Sequence, residues 1–381
     1  MKKRILKIIK RTLIIVLTPG LVLGLCTWLY MQKATFGSLP SGKSKQRIQK
    51  SAQYKNGEFQ NRIYTPTLAP GYTFWGVLRK QFFDKAVPTE PSGTILSVKT
   101  DLKHLPANKN LLVWFGHSST LLQIDGKKIL IDPIFSDNAS PLPNTVKVFD
   151  GTNTYHVQDL PQIDYLIISH DHYDHLDYPT VLALKDKVKK VICGLGVGAH
   201  FERWGYPKDK IIEEDWNDSI TVAKDFTIHT LPARHKSGRG LKQNQSLWAS
   251  YLIHSPTIKV FYSGDGGYDT HFAEIGKKFG PIDVAIMENG QYNKAWHYIH
   301  MLPEETLQAA QDLKAKSIVP VHNSKFALAK HTWNEPLNEL NRLNSKYHIP
   351  LITPVIGEIV IFDDHKVFKP WWKDRSINSV K

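Results

Sequence analysis

The chain has 381 residues, 41% of them hydrophobic and 11% aromatic, which is enough to bury a sizeable core and excludes global disorder. The formal net charge of +14 would suit nucleic-acid binding, but residues 1–50 carry eleven of the cations and no Asp or Glu. Because the remaining chain is nearly neutral, we exclude a nucleic-acid partner. Two cysteines, Cys26 and Cys193, do not predict a disulfide framework.

Residues 1–31 predict a membrane anchor. A basic lead-in, residues 1–11, precedes the uncharged run 12–30, which has about the 20 residues that a bilayer core requires. We expect an uncleaved single-pass helix at the cell membrane, with a cleaved signal peptide and a lipoprotein or peripheral helix as alternatives. The leading positive charge favours an inside N-terminus, which would make the rest of the chain extracytoplasmic.

Beyond the anchor, residues 32–105 are polar and proline-containing, which predicts a linker and N-terminal extension. Residues 106–381 form the predicted main domain. It should begin with two strands, 111–124 and 127–135, that are joined by a tight turn at Asp125-Gly126. Further short strands are predicted at 164–169, 190–193, 226–231, 251–254, 260–263, 283–287 and 317–321, and helices at 179–188, 269–279 and 303–316. This alternation predicts an α/β domain with mixed sheets covered by helices.

A cluster of possible metal ligands follows the predicted strand 164–169. His170, His172, Asp174 and His175 lie within six residues. His170 and His172 can point the same way at the period of an extended chain, and the following turn can aim Asp174 and His175 at an adjacent point. Imidazole and carboxylate groups in such a cluster suit two metal ions a few ångströms apart.

Three further candidates each follow an apolar run that predicts a strand. They are His235, after 226–231; Asp265, after 260–263; and His322, after 317–321. A lone residue of this kind is more often an ordinary polar side chain or part of a turn. Their occurrence in series after the six-residue cluster predicts a shared metal centre. His117 is expected near this site, either as a structural histidine or as a supporting contact.

The order of these residues resembles the metallo-β-lactamase superfamily, whose signature is His-x-His-x-Asp-His followed by a distant His, Asp and His. The resemblance covers about 111–336. It is nearest to the branch of N-acyl-phosphatidylethanolamine-hydrolysing phospholipases D and ascorbate-6-phosphate lactonases. The strings that carry this match are WFGHSSTLLQIDGKKILIDPIFS (114–136), SGDGGYDTHFAEIGKKFGPIDVA (263–285), IHMLPEET (299–306) and VHNSKFALAKHTWNEP (321–336).

The resemblance implies an αββα sandwich with two zinc ions, manganese or iron being alternatives to zinc. One zinc would be held by His170, His172 and His235, and the other by Asp174, His175 and His322, with Asp265 bridging. Catalysis would then rest on the metal ligand Asp174 and on His300, as a proton donor or phosphate contact.

We therefore expect a phosphodiesterase that acts on phospholipid-like substrates. The alternatives are a lactonase or carboxylic ester hydrolase and a non-catalytic metal-binding protein. The segment Lys236-Ser237-Gly238-Arg239 departs from the aromatic continuation expected of the lipid-cleaving enzymes, and 323–325 lacks an expected glycine. The substrate therefore stays open, as does the oligomeric state.

Overall fold

Residues 2–83 and 87–374 are described by a computed structural model of the chain. Its helices are α1 (Lys2–Tyr30), α2 (Gly42–Ile48), α3 (Phe74–Phe83), α4 (Tyr178–Leu184), α5 (Gly198–Arg203), α6 (His271–Phe279), α7 (Pro303–Asp312) and α8 (Glu335–Leu343). Its strands are β1 (Tyr54–Lys55), β2 (Glu58–Phe59), β3 (Leu111–Trp114), β4 (Thr120–Ile124), β5 (Lys127–Ile131), β6 (Ile163–Ile168), β7 (Val188–Gly194), β8 (Ile211–Glu214), β9 (Ser219–Ala223), β10 (Phe226–Leu231), β11 (Ser250–His254), β12 (Lys259–Tyr262), β13 (Val284–Glu288), β14 (Ile318–Val321) and β15 (Ile359–Ile361).

Two mixed sheets face each other in this described part of the chain. One has the strand order β15-β3-β4-β5-β6-β7-β8, and the other has the order β14-β13-β12-β11-β10-β9. Strands β5 to β8 run parallel to one another, as do β12 to β14, whereas the remaining pairs of these two sheets are antiparallel. The mixed pairing matches the predicted α/β class.

Side chains alternate between a central core and two outer cores, as the two-residue period of a strand requires. On β6, Ile167 joins the core between the sheets, while Leu166 and Ile168 join the core that also includes residues of α4 and α5. On β13, Ile286 faces the central core and Met287 packs with residues of α6, α7 and α8. The result is a four-layer αββα sandwich.

The predicted strand 111–124 is wrong in one respect, because it is broken into β3 and β4. Gly116 has φ +84° and His117 has φ +51°, and this left-handed pair turns the chain back so that β3 and β4 pair antiparallel. A glycine adopts such a conformation at little cost, whereas His117 must be held in it. The backbone N–H of His117 donates to Asn323 O, and the N–H of His322 donates to His117 O. This turn therefore lies directly beside a predicted ligand.

The predicted membrane anchor is not supported. α1 forms as a helix, but in the part of the chain that the structure describes we find no helix long and apolar enough to cross a membrane. Residues 12–16 of the predicted run have side chains outside the described set. The expected single-pass localisation with an extracytoplasmic domain is likewise unsupported.

The extension 32–105 packs against the sandwich along much of its length. Arg203 donates to the backbone carbonyls of Gln32 and Gly37, and Trp204 Nε1 donates to Ala34 O. Further along, Phe59 N donates to Asn244 O and Ala69 N donates to Ala295 O. The sequence suggested a linker because it lacks long periodic segments, but these contacts are made by backbone groups that carry no sequence signal.

Candidate metal centre

The predicted ligands meet at one edge of the sandwich because of strand direction. β6 ends at Ile168, and the loop that follows carries residues 170–175. In the opposite sheet, β12 and β14 end just before Asp265 and His322. β10 runs in the same direction as β12, since each pairs antiparallel with β11, so His235 is delivered to the same edge. The carboxyl ends of β6 in one sheet and of β10, β12 and β14 in the other thus lie at the same edge of the sandwich.

His170, His172 and His235 form the first group. His170 Nε2 lies 2.9 Å from His172 Nδ1, and His235 Nε2 lies 3.2 Å from the same nitrogen. Ligand nitrogens around one tetrahedral zinc lie about 3.3 Å apart, given Zn–N bonds of about 2.0–2.1 Å. The separations between these three imidazoles therefore fit a shared metal ion.

Asp174, His175 and His322 form the second group. Asp174 Oδ2 lies 3.3 Å from His322 Nε2 and 3.6 Å from His175 Nε2. His117 joins this group, with its Nε2 3.0 Å from Asp174 Oδ2. His117 is fully buried, and burial lowers its pKa to about 3. The neutral imidazole of His117 can therefore hold the carboxylate of Asp174 in place through a hydrogen bond.

Asp265 lies between the two groups. Its Oδ2 is 3.1 Å from both His175 Nε2 and His322 Nε2. The same oxygen is 3.9 Å from His170 Nε2 and 4.0 Å from His235 Nε2. One buried carboxylate oxygen therefore contacts one group and approaches the other.

Two buried atoms at the centre of this arrangement have no hydrogen-bond partner among the described residues, namely His175 Nε2 and Asp265 Oδ1. An unpartnered buried polar atom is costly unless something else binds it. A cation would satisfy both atoms at once. Nitrogen and oxygen donors, orphaned atoms and ligand-like separations together fit a pair of metal ions.

The pKa values of the histidines in the site also fit a role as metal ligands. Burial and the neighbouring imidazoles hold the pKa values of His170 and His235 well below their usual range, and burial lowers that of His172 to about 4. Burial opposes charge at His175, but the carboxylates of Asp265 and Asp174 outweigh it and raise the pKa to about 10. The two carboxylates therefore favour positive charge at this point of the site.

Supporting hydrogen bonds orient the predicted ligands. Asp132 Oδ2 accepts from His175 Nδ1 at 2.7 Å and from Tyr262 OH at 2.6 Å. His235 Nδ1 lies 2.9 Å from the carbonyl of Ile299, which leaves Nε2 directed into the site. Partners of this kind fix the tautomer and ring angle of a metal-binding imidazole.

Sequence reasoning missed Glu288. It is fully buried at the end of β13, and its Oε1 accepts a short hydrogen bond from His300 Nδ1. Its Oε2 accepts from Gly266 N at 2.7 Å. The available signal was an acidic residue directly after the apolar run 284–287, the same signal that identified Asp265 and His322. His300, predicted as a proton donor, lies at the rim with Nδ1 4.0 Å from Asp265 Oδ2.

A cavity of about 280 Å³ opens onto this centre. Both polar and apolar side chains line it. The lining residues are Thr67, Leu68, His172, Asp174, Lys236, Asp265, Gln291, Trp296, Ile299, His300, His322 and Leu328. Lys236 is half-buried, and burial lowers its pKa. Arg239, from the same basic loop, instead turns away and donates to the carbonyls of Asp171 and Leu176.

Comparison with known proteins agrees with this geometry. Residues 127–323, more than half of the chain, match the family model of the β-lactamase superfamily domain. An uncharacterised protein of Mycobacterium bovis is 38% identical over 289 residues, which are 75% of this chain and 77% of that protein. This chain belongs to the metallo-β-lactamase superfamily.

This chain is also similar to a relative and to a solved structure that are named as hydrolytic enzymes. The N-acyl-phosphatidylethanolamine-hydrolysing phospholipase D 1 of Caenorhabditis elegans is 29% identical over 248 residues, which are 60% of this chain and 68% of that enzyme. Igni18, a metallo hydrolase of the archaeon Ignicoccus hospitalis, has the same fold, with a TM-score of 0.52 and 21% identity over 66% of this chain and 97% of its own. This superfamily member is a metal-dependent hydrolase, and its predicted α/β fold is confirmed.

Proposed function

We propose that this superfamily member is a dinuclear zinc phosphodiesterase that cleaves phospholipid-like substrates. The observation that carries the proposal is the position of Asp265, whose Oδ2 lies within 4.0 Å of nitrogens from both ligand groups. His170, His172 and His235 would hold one ion, Asp174, His175 and His322 the other, and Asp265 would bridge them.

The donor set favours zinc over other metals. All seven groups are imidazoles or carboxylates, and Cys193, on β7, is buried in an outer core. Imidazole with carboxylate suits zinc, and manganese or iron are alternatives with the same donors. Bound ions would supply Lewis acidity and a water of lowered pKa.

The cavity supports an anionic, partly apolar substrate. Lys236 lines the cavity together with the carboxylates of Asp174 and Asp265 and brings an ammonium group to it. Leu68, Trp296 and Leu328 give the remaining wall an apolar character. A phosphodiester with an acyl-bearing leaving group matches this pairing of one cation with apolar surface, because burying the acyl part offsets the cost of desolvating the phosphate.

His300 is the residue that we assign to the leaving group. Its Nδ1 is bound by Glu288, so its Nε2 is the nitrogen left to act in the cavity. With the carboxylate of Glu288 fixing the ring, His300 would pass a proton to the departing oxygen. Asp174 would act as a metal ligand, held by His117.

For the domain organisation, we propose that residues 106–381 form the hydrolase unit and that residues 32–105 serve it as a wrapping extension. Leu68 and Thr67 of the extension line the cavity, which gives this segment a part in substrate contact.

The test compares substrates on metal-free and zinc-loaded protein. We expect chelator-treated protein to be inactive, zinc to restore hydrolysis of bis-p-nitrophenyl phosphate and of N-acyl-phosphatidylethanolamine in mixed micelles, and lactones to be poor substrates. Asp174→Ala and His235→Ala should both abolish activity. Turnover of lactones alone would replace the phosphodiesterase with a lactonase, and zinc binding without any turnover would leave a non-catalytic metal-binding protein.

A further inference from the structure

Asn61, in the N-terminal extension, is bonded to both backbone groups of a predicted ligand. Its Nδ2 donates to His235 O at 2.8 Å, and its Oδ1 accepts from His235 N at 3.1 Å. Asn61 is separated from His235 by 174 residues of sequence. The two hydrogen bonds resemble the pair that neighbouring β-strands exchange, except that the side-chain amide of Asn61 takes the place of one backbone.

The backbone of His235 does not take part in the strand-to-strand hydrogen bonds that hold the residues of β10. β10 ends at Leu231, and His235 follows four residues later in a loop. The position of its imidazole therefore depends on contacts from outside the strand. Its ring is oriented by the carbonyl of Ile299, and its backbone is oriented by Asn61.

A third hydrogen bond fixes which way the amide of Asn61 faces. Trp248 Nε1, a buried indole of the central core, donates to Asn61 Oδ1 at 2.9 Å. Two N–H donors, those of Trp248 and His235, therefore meet the same oxygen, and this leaves the NH₂ group of Asn61 toward the His235 carbonyl. Trp248 of the central core thus fixes the orientation of the Asn61 amide, and that amide holds the backbone of the loop that carries His235.

Two further contacts attach the residues that follow Asn61 to the sandwich, beside the cavity. Thr65 Oγ1 accepts from Arg234 Nε at 3.0 Å, and Ala69 N donates to Ala295 O at 2.7 Å. Between these two anchors, Thr67 and Leu68 line the cavity. A stretch held at three places cannot shift without moving both the loop of His235 and the cavity wall.

We infer that Asn61 is a positioning residue for the metal centre, acting through the backbone of His235, and that the extension is in this way an integral part of the site. The inference rests on the proposed function, since it assumes that His235 binds metal. Loss of a partner that orients a metal ligand lowers metal affinity by about 10–100-fold, and we expect a loss of at least tenfold here.

The experiment measures zinc affinity by chelator competition and the visible spectrum of the cobalt-substituted protein for the full chain and four variants. Asn61→Ala removes all three hydrogen bonds and should weaken zinc binding and alter the cobalt spectrum. Asn61→Asp keeps the two acceptor contacts but not the donor, so its affinity should be intermediate. Trp248→Phe removes the indole N–H, which donates to Asn61 Oδ1 and to Ala233 O, but it leaves both bonds from Asn61 to His235, so it should weaken zinc binding less than Asn61→Ala does.

Asn338→Ala is the matched control. Asn338 is half-buried like Asn61 and accepts from the indole of Trp372 at 3.0 Å, but it lies on α8 away from the ligands. Zinc affinity and spectrum should match those of the original protein. The inference is overturned if Asn61→Ala retains both, or, should Asn61→Ala not fold, if Asn61→Asp binds zinc normally. Failure of the unaltered protein to bind zinc would instead refute the proposed function.

Discussion

Replacing Asp265 with Asn tests the bridging position with the least change of shape. The substitution keeps the size of the side chain and one acceptor oxygen, but it removes the negative charge that lies among four imidazoles. Burial opposes ionisation of this carboxyl, yet His175 and His322 keep its pKa well below the usual range. The charge is therefore present at neutral pH and available to two cations.

The expected magnitude follows from the burial of the group. Asp265 is 3% exposed, so water cannot replace the lost charge. Removing one partner of a buried charge pair costs about 3–5 kcal/mol, which corresponds to roughly two to four powers of ten in metal affinity. We expect Asp265→Asn to bind fewer than two zinc ions at micromolar concentration and to lose activity by at least about a hundredfold.

Isothermal titration with zinc, followed by a phosphodiesterase assay, measures both quantities. Asp209→Asn provides the control, since Asp209 is an exposed acid on the surface of the same domain, and we expect it to leave both unchanged. Two tight zinc sites and undiminished turnover in Asp265→Asn would refute the bridging assignment.

Three further outcomes follow from the same structure. Glu288→Gln should reduce kcat by up to about 100-fold for substrates with an alkoxide leaving group, but much less for p-nitrophenyl esters, whose leaving group needs no proton; equal losses would contradict the role of His300. Lys236→Met should raise KM for an anionic phosphodiester by about tenfold, as expected for a lost charged hydrogen bond, while KM for a neutral lactone stays unchanged. Burial lowers the pKa of Lys325 to about 7, so the unfolded chain binds more protons than the folded one above that pH. The free energy of unfolding, measured in urea on the metal-free protein, should therefore rise with pH from about 7 to 10 relative to Lys325→Met, by at most about 1.4 kcal/mol per pH unit; parallel curves for the two proteins would contradict this.

The convergence of the candidate ligands was predictable from sequence because strand direction decides it. Each of Asp265 and His322 directly follows an apolar run, and parallel strands present their carboxyl ends at one edge. The six-residue cluster after β6 needs only local geometry. Strand ends and short ligand clusters depend on residues that are close in sequence, so they can be predicted from the sequence alone.

What sequence reasoning missed depends on distant partners. Asn61 is an ordinary polar residue until the fold places it against His235. Glu288 follows an apolar run, but its contact with His300 depends on the fold. The strand break at Gly116-His117 depends on backbone bonds to Asn323 and His322 from the far end of the domain. β8, with its sequence IIEE, has no alternation that would identify a strand. No single stretch of sequence contains both halves of these contacts.

Anomalous X-ray diffraction at the zinc edge, from crystals of the zinc-loaded protein, tests the central claim most directly. We predict two peaks, one within bonding distance of His170, His172 and His235 and the other within bonding distance of Asp174, His175 and His322, with Asp265 touching both. A fully active protein whose crystals show a single peak, or peaks away from these side chains, would contradict the account.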